Sequence, residues 1–101
     1  MKIYIWVDDE RKAPLLNSEV TVITAKDYKS AIDILGFCQD KNWGVYLDLD
    51  HDLGEGKTGY DICKFVVENH YPLLGYRLHS MNPVGLQNMY QLLSHYGYTH
   101  I

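Results

Sequence analysis

The chain has 101 residues, enough for one domain with a single hydrophobic core. It is 47% hydrophobic and 22% charged, a composition typical of globular proteins and not of disordered ones. Lys and Arg number 9 against 13 Asp and Glu, and the formal net charge of −4 argues against an extended nucleic-acid surface. The sequence has no apolar run of about 20 residues and no signal-peptide pattern, so we expect a cytoplasmic protein without a membrane partner.

Strand and helix patterns alternate along the chain. Short apolar runs predict strands, and apolar residues spaced by three and four predict helices. In chain order the predicted elements are a strand at 2–7, a loop at 11–18, a strand at 20–23, a helix capped by Thr24, a strand at 45–50, a helix at 58–69, a strand at 75–79, a helix capped by Asn82 and a short strand at 98–101. This order predicts one α/β domain over residues 1–101 with a mainly parallel sheet.

The chain has two cysteines, Cys38 and Cys63. Both lie within apolar stretches that are predicted to be helical, which is typical of small buried residues. We therefore expect neither a disulfide nor a metal site from this pair.

Polar clusters end three of the apolar runs, at residues 8–11, 48–54 and 79–82. Carboxylates crowded at a strand end repel one another unless a cation, a proton or a basic group joins them. In parallel sheets, sites lie beyond the carboxyl ends of the strands, where the strand order reverses. The three clusters therefore predict one site.

Carboxylates in two of these clusters are candidate metal ligands. Asp8, Asp9 and Asp50 are the predicted ligands of Mg²⁺, with Asp52 as a further candidate. Mg²⁺ prefers a few carboxylates together with several waters. The alternative is a solvated loop in which the acids cap backbone amides or pair with the basic residues that follow.

Two histidines, His51 and His79, are the predicted catalytic residues. Two imidazoles across a cleft can divide general-base and general-acid work near neutral pH. We expect His79 as the base and His51 as the acid, and the sequence allows the reverse assignment. The alternative for each is a histidine that only hydrogen-bonds the loop backbone.

Three further side chains are predicted to bind phosphate or substrate. Arg11 has a planar guanidinium that can neutralise a phosphate oxygen. Ser80 and Asn82 stand before a helix whose first backbone N–H groups form an anion site. Asn82 is also the predicted N-cap, with Pro83 at the first helical position, and the two roles are compatible.

With these residues in place, the chain resembles the receiver-domain superfamily of response regulators, which has the flavodoxin-like fold. Asp8 and Asp9 look like the acidic pair after strand one, and Asp50 stands near the place of the phospho-accepting aspartate. Ser80 takes the hydroxyl position after strand four. The resemblance implies a compact α/β three-layer sandwich, here without the typical first and last helices and without a lysine after strand five.

A divergent branch, the cyclic-phosphate processing receiver-like domain, is more similar still. Its pattern resembles Asp8-Asp9-x-Arg11-x-x-Pro14, Asp50-His51-Asp52-Leu53-Gly54 and His79-Ser80-x-Asn82, followed by Gly85 and Asn88-Met89. The resemblance implies a phosphoesterase that opens a cyclic phosphate. Its expected partner is a small nucleotide or the 2′,3′-cyclic phosphate of an RNA end.

Two other functions are compatible with the sequence. One is a binding or signalling module, which would bind a nucleotide or phosphate without cleaving it or would accept phosphate on Asp50 as a degenerate receiver. The other is a purely structural interaction partner, which leaves the three polar strand ends unexplained.

Overall fold

The structure is a computed structural model, and it describes residues 1–16, 19–54 and 56–101. Four parallel strands form one sheet in the order β2-β1-β3-β4. In chain order the elements are β1 (Lys2–Val7), β2 (Thr21–Ala25), α1 (Tyr28–Asp40), β3 (Gly44–Leu49), α2 (Gly59–Glu68), β4 (Leu73–Leu78) and α3 (Pro83–His95). The predicted flavodoxin-like α/β fold with a mainly parallel sheet is confirmed.

The three helices pack on one face of the sheet. Side chains alternate between the two faces of a strand, so Ile3, Ile5 and Val7 of β1 share a face. They join a single core with the buried residues of all three helices, which include Leu35, Ile62 and Met89.

The segment that follows β1 covers part of the opposite face. Tyr4 and Trp6 point to this face, yet they are only 5% and 8% exposed. The indole Nε1 of Trp6 donates a hydrogen bond to the Arg11 carbonyl at 2.9 Å, which ties the segment to the sheet. The described part of this segment, residues 8–16, contains no helix, as the sequence predicts for the place of the typical first helix.

The N-terminus of α1 differs from the prediction. Thr24, the predicted N-cap, lies in β2 and pairs with Trp6. The helix is capped by Asp27, whose Oδ1 accepts a hydrogen bond from the Ser30 N–H at 2.8 Å. The prediction was wrong because β2 extends to Ala25 and keeps Thr24 in the sheet.

The other helix starts agree with the prediction. Thr58 is the N-cap of α2, and Asn82 caps α3 with Pro83 in its first turn. The predicted last strand is reduced to one parallel bridge between Tyr76 and His100. The predicted loop at 11–18 is observed as far as residue 16, because residues 17 and 18 lie outside the described residues. Residue 55, in the stretch between β3 and α2, also lies outside them.

Both cysteines are free and buried, as predicted. Burial raises the pKa of each thiol. None of the helices described by the structure is long and apolar enough to cross a membrane.

Candidate functional site

The three polar clusters meet at the carboxyl edge of β1, β3 and β4. These strands are neighbours in the sheet, so the residues that follow them are brought together. Backbone pairing continues one residue past each strand end. It consists of hydrogen bonds from Asp8 N–H to the Ala25 carbonyl (3.0 Å), Asp50 N–H to the Val7 carbonyl (3.0 Å) and His79 N–H to the Leu49 carbonyl (2.9 Å).

Three carboxylates form a compact group at this edge. One oxygen each from Asp8, Asp9 and Asp50 lies within 4.8 Å of the other two. The Asp9 and Asp50 carboxylates accept no hydrogen bond from the residues that the structure describes, so their oxygens are available to a cation. Clustered carboxylate oxygens are the donors that Mg²⁺ prefers, and this set fits such an ion. Asp52 lies outside the group.

Asp8 is the most constrained of the three carboxylates. Its Oδ1 accepts the backbone N–H groups of Glu10 and Arg11 at 2.8 and 2.7 Å. Burial alone would raise the pKa of Asp8, but these hydrogen bonds, the His79 contact and the Arg11 charge together lower it. Asp8 is therefore held as a buried carboxylate, with only 4% of its surface exposed.

Arg11 joins the ends of all three strands. Its Nε donates to Asp8 Oδ2 at 3.0 Å, and its Nη2 lies 3.6 Å from Asp50 Oδ2. The same Nη2 donates to the His79 carbonyl at 3.0 Å. The side chain is about half exposed at the rim of the site, and no described residue forms a hydrogen bond or ion pair with its Nη1.

The ring of His79 lies between two carboxylates. Its Nδ1 is 2.5 Å from Asp48 Oδ1, and its Nε2 is 3.0 Å from Asp8 Oδ2. The ring also stacks on Trp6, with centroids 3.7 Å apart and planes 5° from parallel. A neutral imidazole has one N–H donor, so His79 donates to both carboxylates only as the imidazolium.

Behind His79, the buried Asp48 is held by Tyr4. The Tyr4 hydroxyl donates a short hydrogen bond to Asp48 Oδ2. Burial, and then the hydrogen bond to Asp48, raise the pKa of Tyr4 to about 12, so it stays a donor across the physiological pH range. The sequence patterns predicted no individual role for Asp48, a member of the cluster at 48–54, and none for Tyr4 or Trp6. The available signal was register, because Tyr4, Trp6 and Asp48 alternate onto the face away from the helices.

His51 has different surroundings. Its Nδ1 is 2.9 Å from Asp52 Oδ1. The amide nitrogen of Asn82 is 3.5 Å from the same His51 Nδ1. No described residue hydrogen-bonds its Nε2. The hydrogen bond from His51 lowers the pKa of Asp52. An imidazole whose Nδ1–H is oriented by a carboxylate presents a lone pair at Nε2.

Gly85 in the first turn of α3 provides the space for this ring. A Cβ at Gly85 would lie 2.3 Å from His51 Cγ. Any side chain at this position therefore displaces the imidazole.

The two remaining predicted residues hold the start of α3. Asn82 Oδ1 accepts the Gly85 N–H at 2.9 Å, and Ser80 Oγ accepts the Asn82 N–H at 3.1 Å. Both oxygens therefore serve local capping. The expectation that Ser80 and Asn82 bind phosphate stays a prediction.

A cleft of about 580 Å³ opens on the carboxylate group. Neither histidine is among the described residues that line it. The lining comprises Asp8, Asp9, Glu10, Arg11, Asp50, Asp52, Gly54 and Met81. Five acids and one base give a formal charge of −5 + 1 = −4. Such a cleft attracts a cation, and an anionic ligand enters it only together with one.

The chain was compared with known proteins at three levels. The family model described as "Cyclic-phosphate processing Receiver domain" matches residues 3–95. The comparisons with curated proteins and with solved structures found no match. The matched stretch contains every residue of the carboxylate group and both histidines.

Proposed function

This chain belongs to the family of cyclic-phosphate processing receiver domains, and from that premise we propose that it is a metal-dependent phosphoesterase that opens a cyclic phosphodiester. The proposed substrates are 2′,3′-cyclic phosphates of RNA ends or nucleotide derivatives. The observation that carries the proposal is the group of Asp8, Asp9 and Asp50 oxygens within 4.8 Å of one another in an acidic cleft.

The carboxylates would hold Mg²⁺, with Asp9 and Asp50 as the favoured ligands, because neither accepts a hydrogen bond from the described residues and Asp50 has only the 3.6 Å ion pair with Arg11 among them. When bound, the ion would offset the charge of the phosphoryl oxygens and polarise them. Asp8 adds a fixed buried charge beside these ligands. The Nη1 group of Arg11 would donate to a non-bridging phosphate oxygen at the rim of the cleft.

The histidines would move the protons. Ring opening forms a bond from a water oxygen to phosphorus and breaks the bond from phosphorus to one ribose oxygen. The water proton goes to a base, and the departing ribose oxygen takes up a proton. The contacts support His51 as the base, because its Nε2 is unengaged and Asp52 orients the ring.

For His79, contact with carboxylates at both ring nitrogens supports the protonated form. The two-histidine scheme is therefore proposed with His51 as base and His79 as acid, the reverse of the order first expected from the sequence, and it requires the Nε2–H of His79 to turn from Asp8 to the departing ribose oxygen.

The test is turnover of 2′,3′-cyclic AMP by the purified protein, followed by ³¹P NMR in Mg²⁺ and in EDTA. The expected result is a phosphate monoester in Mg²⁺, no product in EDTA, and no product from the variant with both His51→Ala and His79→Ala. The matched control is His95→Ala, because His95 lies in the last turn of α3, at the far end from Asn82. Turnover by the double variant would overturn the histidine roles, and turnover in EDTA would overturn the metal role.

A second candidate function is supported by the same carboxylates. Asp50 follows β3 beside Asp8 and Asp9, the arrangement that a receiver resembling this chain would phosphorylate. Against it, phosphotransfer to Asp50 gives no role to the contacts of His51 and His79. Incubation with acetyl phosphate and intact mass measurement would decide: a phosphate adduct that Asp50→Asn removes would favour a receiver, and an unmodified chain would exclude phosphotransfer from this donor.

A further inference from the structure

We propose that Tyr4 and Asp48 are positioning residues of the metal site, which act through the His79 ring to fix the Asp8 carboxylate. The inference rests on the proposed cation site, and it concerns residues that touch neither the ion nor the substrate. It assigns a function to a buried series of hydrogen-bonded side chains on the face of the sheet that carries no helix.

The chain of contacts is continuous from Tyr4 to Asp8. The Tyr4 hydroxyl donates to one oxygen of Asp48, and the other oxygen of Asp48 lies 2.5 Å from His79 Nδ1. The opposite ring nitrogen, Nε2, lies 3.0 Å from Asp8 Oδ2. Each group therefore restricts the orientation of the next one.

These hydrogen-bonded side chains are also shielded from water. Asp48 is 2% exposed and Asp8 is 4% exposed. The Trp6 ring stacks on the His79 ring with centroids 3.7 Å apart. The indole N–H of Trp6 donates a hydrogen bond to the Arg11 carbonyl. Every buried polar side-chain atom of the described residues has a hydrogen-bond partner. Removal of one link therefore leaves its neighbour unsatisfied and free to reorient.

Asp8 is the residue on which these restraints converge. Its Oδ1 takes two backbone N–H groups, and its Oδ2 is shared between Arg11 Nε and His79 Nε2. The contact with His79 is the one that depends on Asp48 and Tyr4. Hydrogen-bond partners that orient metal-site groups commonly change cation affinity by about 10- to 100-fold when mutated.

The deciding variant is Tyr4→Phe, because it removes one hydroxyl without changing the net charge. Its matched control is Tyr46→Phe. Tyr46 pairs with Tyr4 in the sheet, its ring centroid is 6.4 Å from that of Tyr4, and no described residue hydrogen-bonds its hydroxyl. Asp48→Asn is the second variant, and it changes the residue that contacts His79 directly.

The measurement is Mn²⁺ affinity, read as free Mn²⁺ by electron paramagnetic resonance, with circular dichroism to verify that each variant is folded. We expect Tyr4→Phe to weaken binding by about threefold and Asp48→Asn by about tenfold, while Tyr46→Phe leaves it unchanged. As a second readout, the downfield ring N–H signal of His79 in proton NMR shifts in Tyr4→Phe and stays in place in Tyr46→Phe.

Equal Mn²⁺ affinity and an unchanged His79 signal in Tyr4→Phe and Tyr46→Phe would overturn the inference. A wild-type protein that binds no Mn²⁺ would overturn it together with the proposed cation site. A wild-type protein that binds Mn²⁺ but leaves 2′,3′-cyclic AMP intact would remove the phosphoesterase proposal, while the affinity series would still decide the role of Tyr4 and Asp48.

Discussion

The imidazole of His79 lies parallel to the indole of Trp6, although His79 follows β4, which is not a neighbour of β1 in the sheet. β3 runs between them, and its residue Asp48 pairs with Trp6 and contacts His79. The ring of His79 thus reaches back across β3 and is held from three sides. This distinguishes it from His51, which is held by one carboxylate and retains an unengaged nitrogen.

Asp9 provides a test of the metal site that does not depend on turnover. Without metal, Asp9→Asn relieves repulsion among three carboxylates and should raise the free energy of unfolding by about 1 kcal/mol. With Mg²⁺ at about 100 times its Kd, wild type should gain about 2.7 kcal/mol and become the more stable protein. Thermal unfolding in EDTA and in Mg²⁺ measures both effects. If Mg²⁺ stabilises the two proteins equally, Asp9 is not a ligand.

His51 is expected to have a large effect on turnover and a small one on stability. His51→Gln should lower kcat by about 10²- to 10⁴-fold, the usual contribution of a general acid or base. Steady-state turnover of 2′,3′-cyclic AMP measures this effect, and a variant with wild-type rates would exclude His51 from proton transfer.

Substitution of Gly85 tests whether turnover depends on the position of the His51 ring rather than on the stability of the fold. Gly85→Ala should favour the helical conformation by up to about 1 kcal/mol, yet it should lower turnover by about 100-fold because the new Cβ displaces the ring. Gly36→Ala is the matched control, since a Cβ in that helix meets no atom within 4 Å. It should stabilise the protein at unchanged turnover. Full activity in Gly85→Ala would show that the ring position is not required.

The Asp61 carboxylate should make the stability of the protein depend on pH, independently of the carboxylate group at the cleft. Its Oδ2 accepts the Thr58 N–H at 2.7 Å, and this hydrogen bond, opposed by burial and aided by Lys64, lowers its pKa. The stabilisation is thus fully present above the unfolded pKa of about 3.9 and is lost as the pH falls through the lower folded value.

Asp61→Asn should therefore cost about 1 kcal/mol at neutral pH and nothing below the folded pKa. Chemical unfolding at several pH values measures this. Asp33→Asn, which breaks an exposed ion pair with Lys29 on α1, is the control with a smaller effect. A cost for Asp61→Asn that persists in acid would contradict the assignment.

Much of the fold could be predicted from the sequence because local and tertiary signals agree. β1 has the predicted bounds, since its apolar run ends at two aspartates, whose carboxylates need polar partners that a strand interior does not offer. Asn82 and Pro83 begin α3 as expected. The start of α1 could not be predicted in the same way. Thr24 and Asp27 are both good caps, and only the pairing of β2 with β1 decides between them.

The site was predictable in its location and not in its internal contacts. The order of strands brings three polar ends together wherever their side chains point. The opposite environments of His51 and His79 depend on rotamers and on partners in other strands, which one sequence does not specify. Tyr4 and Trp6 were overlooked because aromatic residues in a strand buried on both faces have the sequence signature of ordinary core.

The parallel sheet also has a consequence for how the protein assembles. Parallel strands require the chain to return across the molecule after each one, and the contact between Asp8 and His79 spans 71 positions. Contacts this distant in sequence form late, after the loop entropy of the intervening chain has been overcome. The acidic cleft should therefore gain its final arrangement only when β4 docks on β3 and brings His79 to Asp8.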